Sequence, residues 1–152
     1  MKPIRNSAKA VIIEENRVLL TRNRDHKGEF YLFPGGGQEH GEELRKSVVR
    51  ECIEEIGYSV TVRDLIHVRE YIGKNHEFSE WDSDVHQVEF YFECELIDYS
   101  GVLTNGENPD ANQLGVEWVE MDRLDQVRVY PKVLSEILRT RNNHANYLGD
   151  TN

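Results

Sequence analysis

Three glutamates, Glu51, Glu54 and Glu55, stand at i, i+3 and i+4 within a stretch from Glu42 to Ile56 that nothing breaks as a helix. At about 100° per residue they share one face. Carboxylates gathered this way repel one another unless something positive sits among them. Hard oxygen ligands suit Mg²⁺, which usually takes a few carboxylates, several waters and substrate phosphates. The same acids also read as the solvated face of a surface helix, where glutamates at this spacing are common. Just upstream, Gly35, Gly36 and Gly37 read as a glycine-rich turn that can take positive φ or let another group approach the backbone. A phosphate-cradling NTPase loop does not fit them, because Gln38 follows Gly37 where Lys-Ser or Lys-Thr is required.

The helix that presents these acids needs a buried side and an end. Leu44, Val48, Cys52 and Ile56 recur at intervals of four on another stripe, and Gly57 stops the helix as a C′ glycine does. From Gly36 to Tyr58 the chain resembles the signature of the Nudix hydrolases. That signature reads Gly, five residues, Glu, seven residues, Arg-Glu, a bulky apolar residue, any residue, Glu-Glu, any residue, Gly and a bulky apolar residue. Gly36, Glu42, Arg50, Glu51, Cys52, Glu54, Glu55, Gly57 and Tyr58 meet it, and Phe33-Pro34-Gly35 matches a common lead-in. Cys52 and Tyr58 depart mildly, at positions that touch packing rather than chemistry.

The resemblance implies a MutT-like pyrophosphohydrolase that uses Mg²⁺, with Mn²⁺ as a substitute, on a nucleoside diphosphate linked to a variable group. It implies that Glu51, Glu54 and Glu55 bind metal, with the Gly35 carbonyl as a further ligand. It makes Arg50 the residue that orients a neighbouring carboxylate, expected to be Glu51. Glu51 and Glu54 are the candidates for accepting the proton of the attacking water. Glu42 lies about half a turn from Glu51 at ideal pitch and is expected to support the helix N-terminus, with Gly36 beside it. Family members often recruit one more acid, and Glu89, Glu93, Glu107 and Asp110 are open candidates. A Nudix-like module that binds a nucleotide or partner without turnover is the alternative. No acid of the signature is missing, nor is the arginine, so an active enzyme is expected. The substrate side is left between a nucleotide sugar and a (deoxy)nucleoside triphosphate. The proline that ADP-ribose hydrolases often carry shortly after the signature is missing between Gly35 and Asn108, and Tyr71 matches only loosely the tyrosine of dinucleoside-polyphosphate hydrolases.

Around the signature, Ala8 to Ile13 and Arg17 to Thr21 read as a hairpin, and Arg22 to Gly28 as a polar, partly basic loop. That loop is taken as solvated in preference to phosphate-handling. Phe30 to Phe33 reads as a short strand whose Phe30 or Tyr31 either stacks on a base or joins the core. Tyr58 to Tyr71 reads as one long strand or two short ones, packed through Val60, Val62, Leu65, Ile66 and Val68. Gly73 to Asp84 is an exposed connection whose His76, Phe78 and Trp81 either cap a substrate or fold back over the sheet; folding back is preferred. In Val85 to Leu96, Val88, Phe90, Phe92, Cys94 and Leu96 share one face, and Gln87, Glu89, Tyr91, Glu93 and Glu95 the other. Val116 to Glu120 is a last strand with Trp118 inward. A helix opened by Pro131 runs to Arg141, packed through Val133, Leu134, Ile137 and Leu138.

This order fits an α/β domain with a central mixed sheet between helices, the Nudix-type α/β/α sandwich, over residues 1–141. Residues 142–152 read as a polar tail that frays, with His144 exposed. With 152 residues, 18 Lys and Arg against 28 Asp and Glu, and a formal charge of −10, the chain is one acidic domain. Such charge disfavours nucleic acid as a partner, but not a nucleotide bridged by metal. Cys52 and Cys94 read as buried thiols rather than a disulfide framework. The reading finds no leader and no apolar run long enough for a membrane, so a soluble cytoplasmic protein is expected, acting on a small-molecule substrate and free to form a homodimer.

Overall fold

Strand β1 (Arg5–Glu14) turns into β2 (Arg17–Asp25) through Glu15 and Asn16, whose φ values of 49° and 63° are those of a tight hairpin turn. The computed structural model describes residues 2–142 and 145–152, so His144 lies outside the described residues. The chain continues through β3 (Gly28–Leu32), β4 (Gly35–Gly37), helix α1 (Leu44–Ile56) and β5 (Val60–Ile72). A short helix α2 (Ser79–Asp82) precedes β6 (His86–Leu96) and β7 (Gln113–Glu120). After a 3₁₀ segment (Met121–Gln126) come β8 (Val129–Tyr130), α3 (Lys132–Thr140) and β9 (Tyr147–Asp150).

The strands form one mixed sheet in the order β8-β3-β2-β1-β6-β5-β9, with β4 also paired to β1 and β7 to β2. β1 runs parallel to β6 from Arg5 to Ile12, but meets β2 only at Ile13 and Glu14. The sheet therefore curls into two lobes at β1. Both faces of β1 are covered, which is why its sequence is nearly continuous in apolar residues. Ala8, Ala10 and Ile12 pack under Val48, Cys52 and Ile56 of α1, while Val11 packs on the opposite side with Leu134 and Leu138 of α3. Cys52 and Cys94 are free, buried thiols in the α1-side core. Among the described residues no helix is long and apolar enough to cross a membrane.

Helix α1 ends as expected: Gly57 is left-handed at φ 75°, and its N–H donates to the carbonyls of Cys52 and Ile53. Other expectations are corrected. The glycine turn is a strand, because Gly35, Gly36 and Gly37 lie antiparallel along Lys9, Ala8 and Ser7 of β1. The basic stretch from Arg22 to Asp25 is the end of β2 rather than a loop. β5 is a single strand, but its register shifts on both sides of Leu65 turn that side chain outward, 44% exposed, so Leu65 does not pack. The polar face of β6 is not all solvated, since Glu89 and Tyr91 are buried. The tail does not fray throughout: β9 pairs parallel with β5.

Candidate active site

Arg50 is the hub of the acidic face. Its Nε and Nη2 donate to the two carboxylate oxygens of Glu42 at 2.8 and 3.0 Å, and Nη2 also donates to the Gly37 carbonyl at 2.9 Å. Nη1 donates to Glu51 at 3.0 Å and to Glu54 at 3.3 Å. The forked partner is thus Glu42, and Glu51, the carboxylate that the resemblance implied, takes a single bond. The reason is local: α1 begins at Leu44, so Glu42 lies before the helix and is free to swing back to Arg50. Ser47 Oγ donates to the same carboxylate at 2.6 Å. Arg50 first and Ser47 next hold the Glu42 carboxyl down at about 2.

The glycines of β4 bring backbone against the acids. Gly35 takes φ +141°, and its N–H donates to Glu55 Oε1 at 2.9 Å. A Cβ on Gly36 would lie 2.6 Å from the carboxyl carbon of Glu51, so only glycine leaves that carboxylate in place. Glu55 is 3% exposed. Burial pushes its carboxyl up to about 8; the Lys9 charge and the Gly35 N–H oppose the shift, and nearby Asp110 adds to it. Burial likewise pushes Glu51 upward against the pull of Arg50.

A cavity of about 250 Å³ is bordered by Lys9, Gly35, Gly36, Glu51, Glu89 and Asp110. Of the four further acids, the fold thus brings Glu89 and Asp110 to the signature residues and leaves Glu93 and Glu107 exposed elsewhere. Asp110 arrives because its loop caps the end of α1: Gly106 and Asn108 donate backbone N–H groups to the carbonyls of Glu55 and Glu54 at 2.9 and 3.0 Å. A Cβ on Gly106 would sit 2.3 Å from the Glu54 carbonyl oxygen. Gln113 Nε2 adds a 2.8 Å bond to the Glu55 carbonyl. Glu89 is 5% exposed and pairs with Arg69 Nε at 2.5 Å, while the Tyr91 hydroxyl donates to it at 2.7 Å. Burial alone would raise its carboxyl; Arg69, Lys9 and Tyr91 hold it below the usual range.

Glu54 does not border this cavity. It stands at the other side of Arg50, beside a groove between α1 and β5 with Arg45 and Val62. Among the described residues no group of three or more His, Cys, Asp or Glu side chains is placed to hold a metal ion by itself. The donors that do face the cavity are hard oxygens. Sequence reasoning missed Lys9 and Arg69. For Lys9 the signal was present, as a cation between Ala8 and Ala10 in an otherwise apolar run; Arg69 is one of several charged residues in β5 and carried no such signal.

Next to the acid cavity, and sharing Leu32 and Gln87 with it, lies a larger pocket of about 510 Å³ walled by Phe30, Tyr71, Phe78, Trp81 and Tyr130. Phe78 meets Tyr130 edge-on at 5.9 Å, and Trp81, 62% exposed, tilts against His26 at 5.1 Å. Phe30 therefore faces a pocket, whereas the Tyr31 hydroxyl donates to Glu117. Trp81 stays at the rim instead of folding over the sheet. Arg22 and Arg24 are matched by Glu29 at 3.0 and 3.4 Å on the hairpin surface.

The NUDIX domain model matches residues 3–139. The chain belongs to the Nudix family of hydrolases. It is 32% identical over 118 residues to the Xenopus laevis protein named nucleoside diphosphate-linked moiety X motif 6, a match covering 77% of this chain and 50% of that one. The mouse protein of the same name is 24% identical and covered to 37%, so the chain spans half or less of these relatives. A Methanocaldococcus jannaschii protein named ADP-ribose pyrophosphatase is 29% identical over 137 residues, covering 87% of this chain and 72% of that one. Among solved structures, a MutT Nudix hydrolase from Burkholderia pseudomallei superposes with a TM-score of 0.68 at 22% identity, over 93% of this chain and 99% of that one. A Nudix hydrolase from Nitrosomonas europaea gives 0.70 at 18%, over 91% and 89%. These two support the Nudix fold of the mixed, curled sheet.

Proposed function

We propose that this Nudix domain is a divalent-metal-dependent pyrophosphohydrolase acting on a nucleoside diphosphate linked to a second group. The observation that carries the reading is the cavity bordered by the glycine backbone of β4, Glu51, Glu89 and Asp110, with Glu55 buried just behind Gly35 and bonded to its N–H. A cation fits this donor set: buried acids and backbone carbonyls are hard oxygen ligands, and Glu55 without a cation is driven to keep its proton. Glu51, Glu55 and the Gly35 carbonyl would hold Mg²⁺ or Mn²⁺ there, with Asp110 as the further acid, while Glu54, across Arg50, would join only through a second ion on its own side. When bound, the metal neutralises phosphoryl oxygens and lowers the pKa of water toward neutrality.

The chain's own residues do the rest. Arg50 fixes Glu42 and Glu51 relative to the Gly37 carbonyl, so the acids meet the substrate already oriented. Glu51 faces the cavity and Glu54 does not, which favours Glu51 as the acceptor of the water's proton. The aromatic pocket supports placing a planar base there, between rings whose faces and edges stack at low entropic cost. Gln87, on the wall common to both cavities, would lie where base and phosphates meet.

The test is a Mg²⁺-containing screen of nucleoside triphosphates, nucleotide sugars and ADP-ribose, with Glu55→Gln in parallel and products identified. Release of a nucleoside monophosphate by the wild type alone supports the proposal. Tight binding with no turnover of any compound would assign the domain to recognition instead.

A further inference from the structure

We infer that Lys9 is a resident cation of the acid cavity, whose hold on the Gly35 carbonyl must be released before a divalent metal can take that oxygen. The inference rests on the metal reading of the same site. Lys9 lies between Ala8 and Ala10, which pack under α1, so its side chain leaves β1 on the other face. It pairs directly with Gly35 in the β1–β4 ladder. Its stem runs so close that a Cβ on Gly35 would lie 2.8 Å from Lys9 Cδ. The ammonium donates to the carbonyls of Phe33 and Gly35 at 3.3 and 3.4 Å.

The neighbouring arginines are committed, Arg50 to Glu42 and Glu51, and Arg69 to Glu89. Lys9 differs: among the described residues it has no carboxylate within ion-pair distance, yet its charge acts on Glu51, Glu55 and Glu89 together. Arg5, which also borders the cavity, lies against Gly37 rather than Gly35. One ammonium thus lessens the mutual repulsion of three acids while occupying a carbonyl expected to ligate metal. A lysine and a dication cannot share that oxygen without strong repulsion at such short range. The four-carbon stem lets the ammonium move away, and the phosphate oxygens of a substrate are its chemically matched next partner.

Calorimetric titration with MgCl₂ and thermal melts of the full chain test this with Lys9→Met, Lys9→Arg and, as a charge control, the exposed Lys74→Met. Lys9→Met should bind Mg²⁺ about tenfold more tightly than wild type, while the control and Lys9→Arg stay within about threefold. The metal-free Lys9→Met protein should melt several degrees lower, and saturating Mg²⁺ should close the gap. Should Lys9→Met not fold, Lys9→Gln, which keeps a donor for one carbonyl, carries the same expectation. An affinity of the uncharged variant equal to or weaker than that of wild type overturns the inference. Glu55→Gln separates the causes. If it loses Mg²⁺ binding while Lys9→Met is unchanged, only the role of Lys9 falls. If wild type and Glu55→Gln bind Mg²⁺ alike, the metal reading and the Lys9 inference fall together.

Discussion

Glu55→Gln in the metal-free protein tests the electrostatics of the site without any substrate. The folded carboxyl titrates at about 8, against 4.5 for a solvated one, and burial is the leading cause. Between those values the folded state holds a proton that the unfolded state has lost, so stability must fall as pH rises through the window. The slope approaches about 1.4 kcal/mol per pH unit, with a ceiling near 5 kcal/mol, of which relaxation and water entry leave about 1–3 kcal/mol. For a chain of this size each kcal/mol moves Tm by about 2–4 °C. Melts of EDTA-treated wild type from pH 5 to pH 8 should therefore show Tm falling by several degrees more than in Glu55→Gln. The glutamine keeps an oxygen for the Gly35 N–H and does not ionise, so the variant should fold. Histidines elsewhere act equally in both proteins, and only the difference is read. With saturating Mg²⁺ the wild-type trend should reverse, because metal binding releases the proton and grows stronger with pH. Parallel Tm–pH curves for the two metal-free proteins would refute the reasoning.

Gly36→Ala should leave the melt nearly unchanged and lower kcat by about 10²-fold, because the added methyl displaces the Glu51 carboxylate from its place; steady-state kinetics checks it. Arg69→Met should destabilise by about 3–5 kcal/mol in urea unfolding, since it strands the buried Glu89 charge. Trp81→Ala and Phe78→Ala should raise KM by about tenfold with little change in kcat, as expected for groups that bind the base but do not touch the reacting phosphorus. Equal loss of kcat in both would place the base elsewhere.

Helix α1 was legible because its information is local: a stripe at intervals of four, and a glycine whose left-handed conformation ends it. What the sequence could not convey was set by partners distant in the chain. Glu42 looked misaligned with Glu51 only while both were placed on one helix; its true partner is fixed by a bend before Leu44. Asp110 could not be separated from Glu107 because a long-range contact places both: Gly106 and Asn108 dock on the last carbonyls of α1. β4 is built of glycines with no strand preference, and it exists because β1 offers an open ladder opposite. β9 escaped notice for a similar reason: its polar residues are held by Asp150, which accepts from the Ile72 N–H and from Asn75 and His76.

β9 also settles how the domain meets its neighbours in a crowded solution. Val68 donates to the carbonyl of Asn146 and Thr151 donates to that of Glu70, so the outer margin of β5 is covered by this strand from Val68 to Glu70. An open margin of that length would be a template for other extended chains. Covering that part of it with a short strand, itself ending in the charge of Asp150, shortens the stretch of β5 left open to another extended chain.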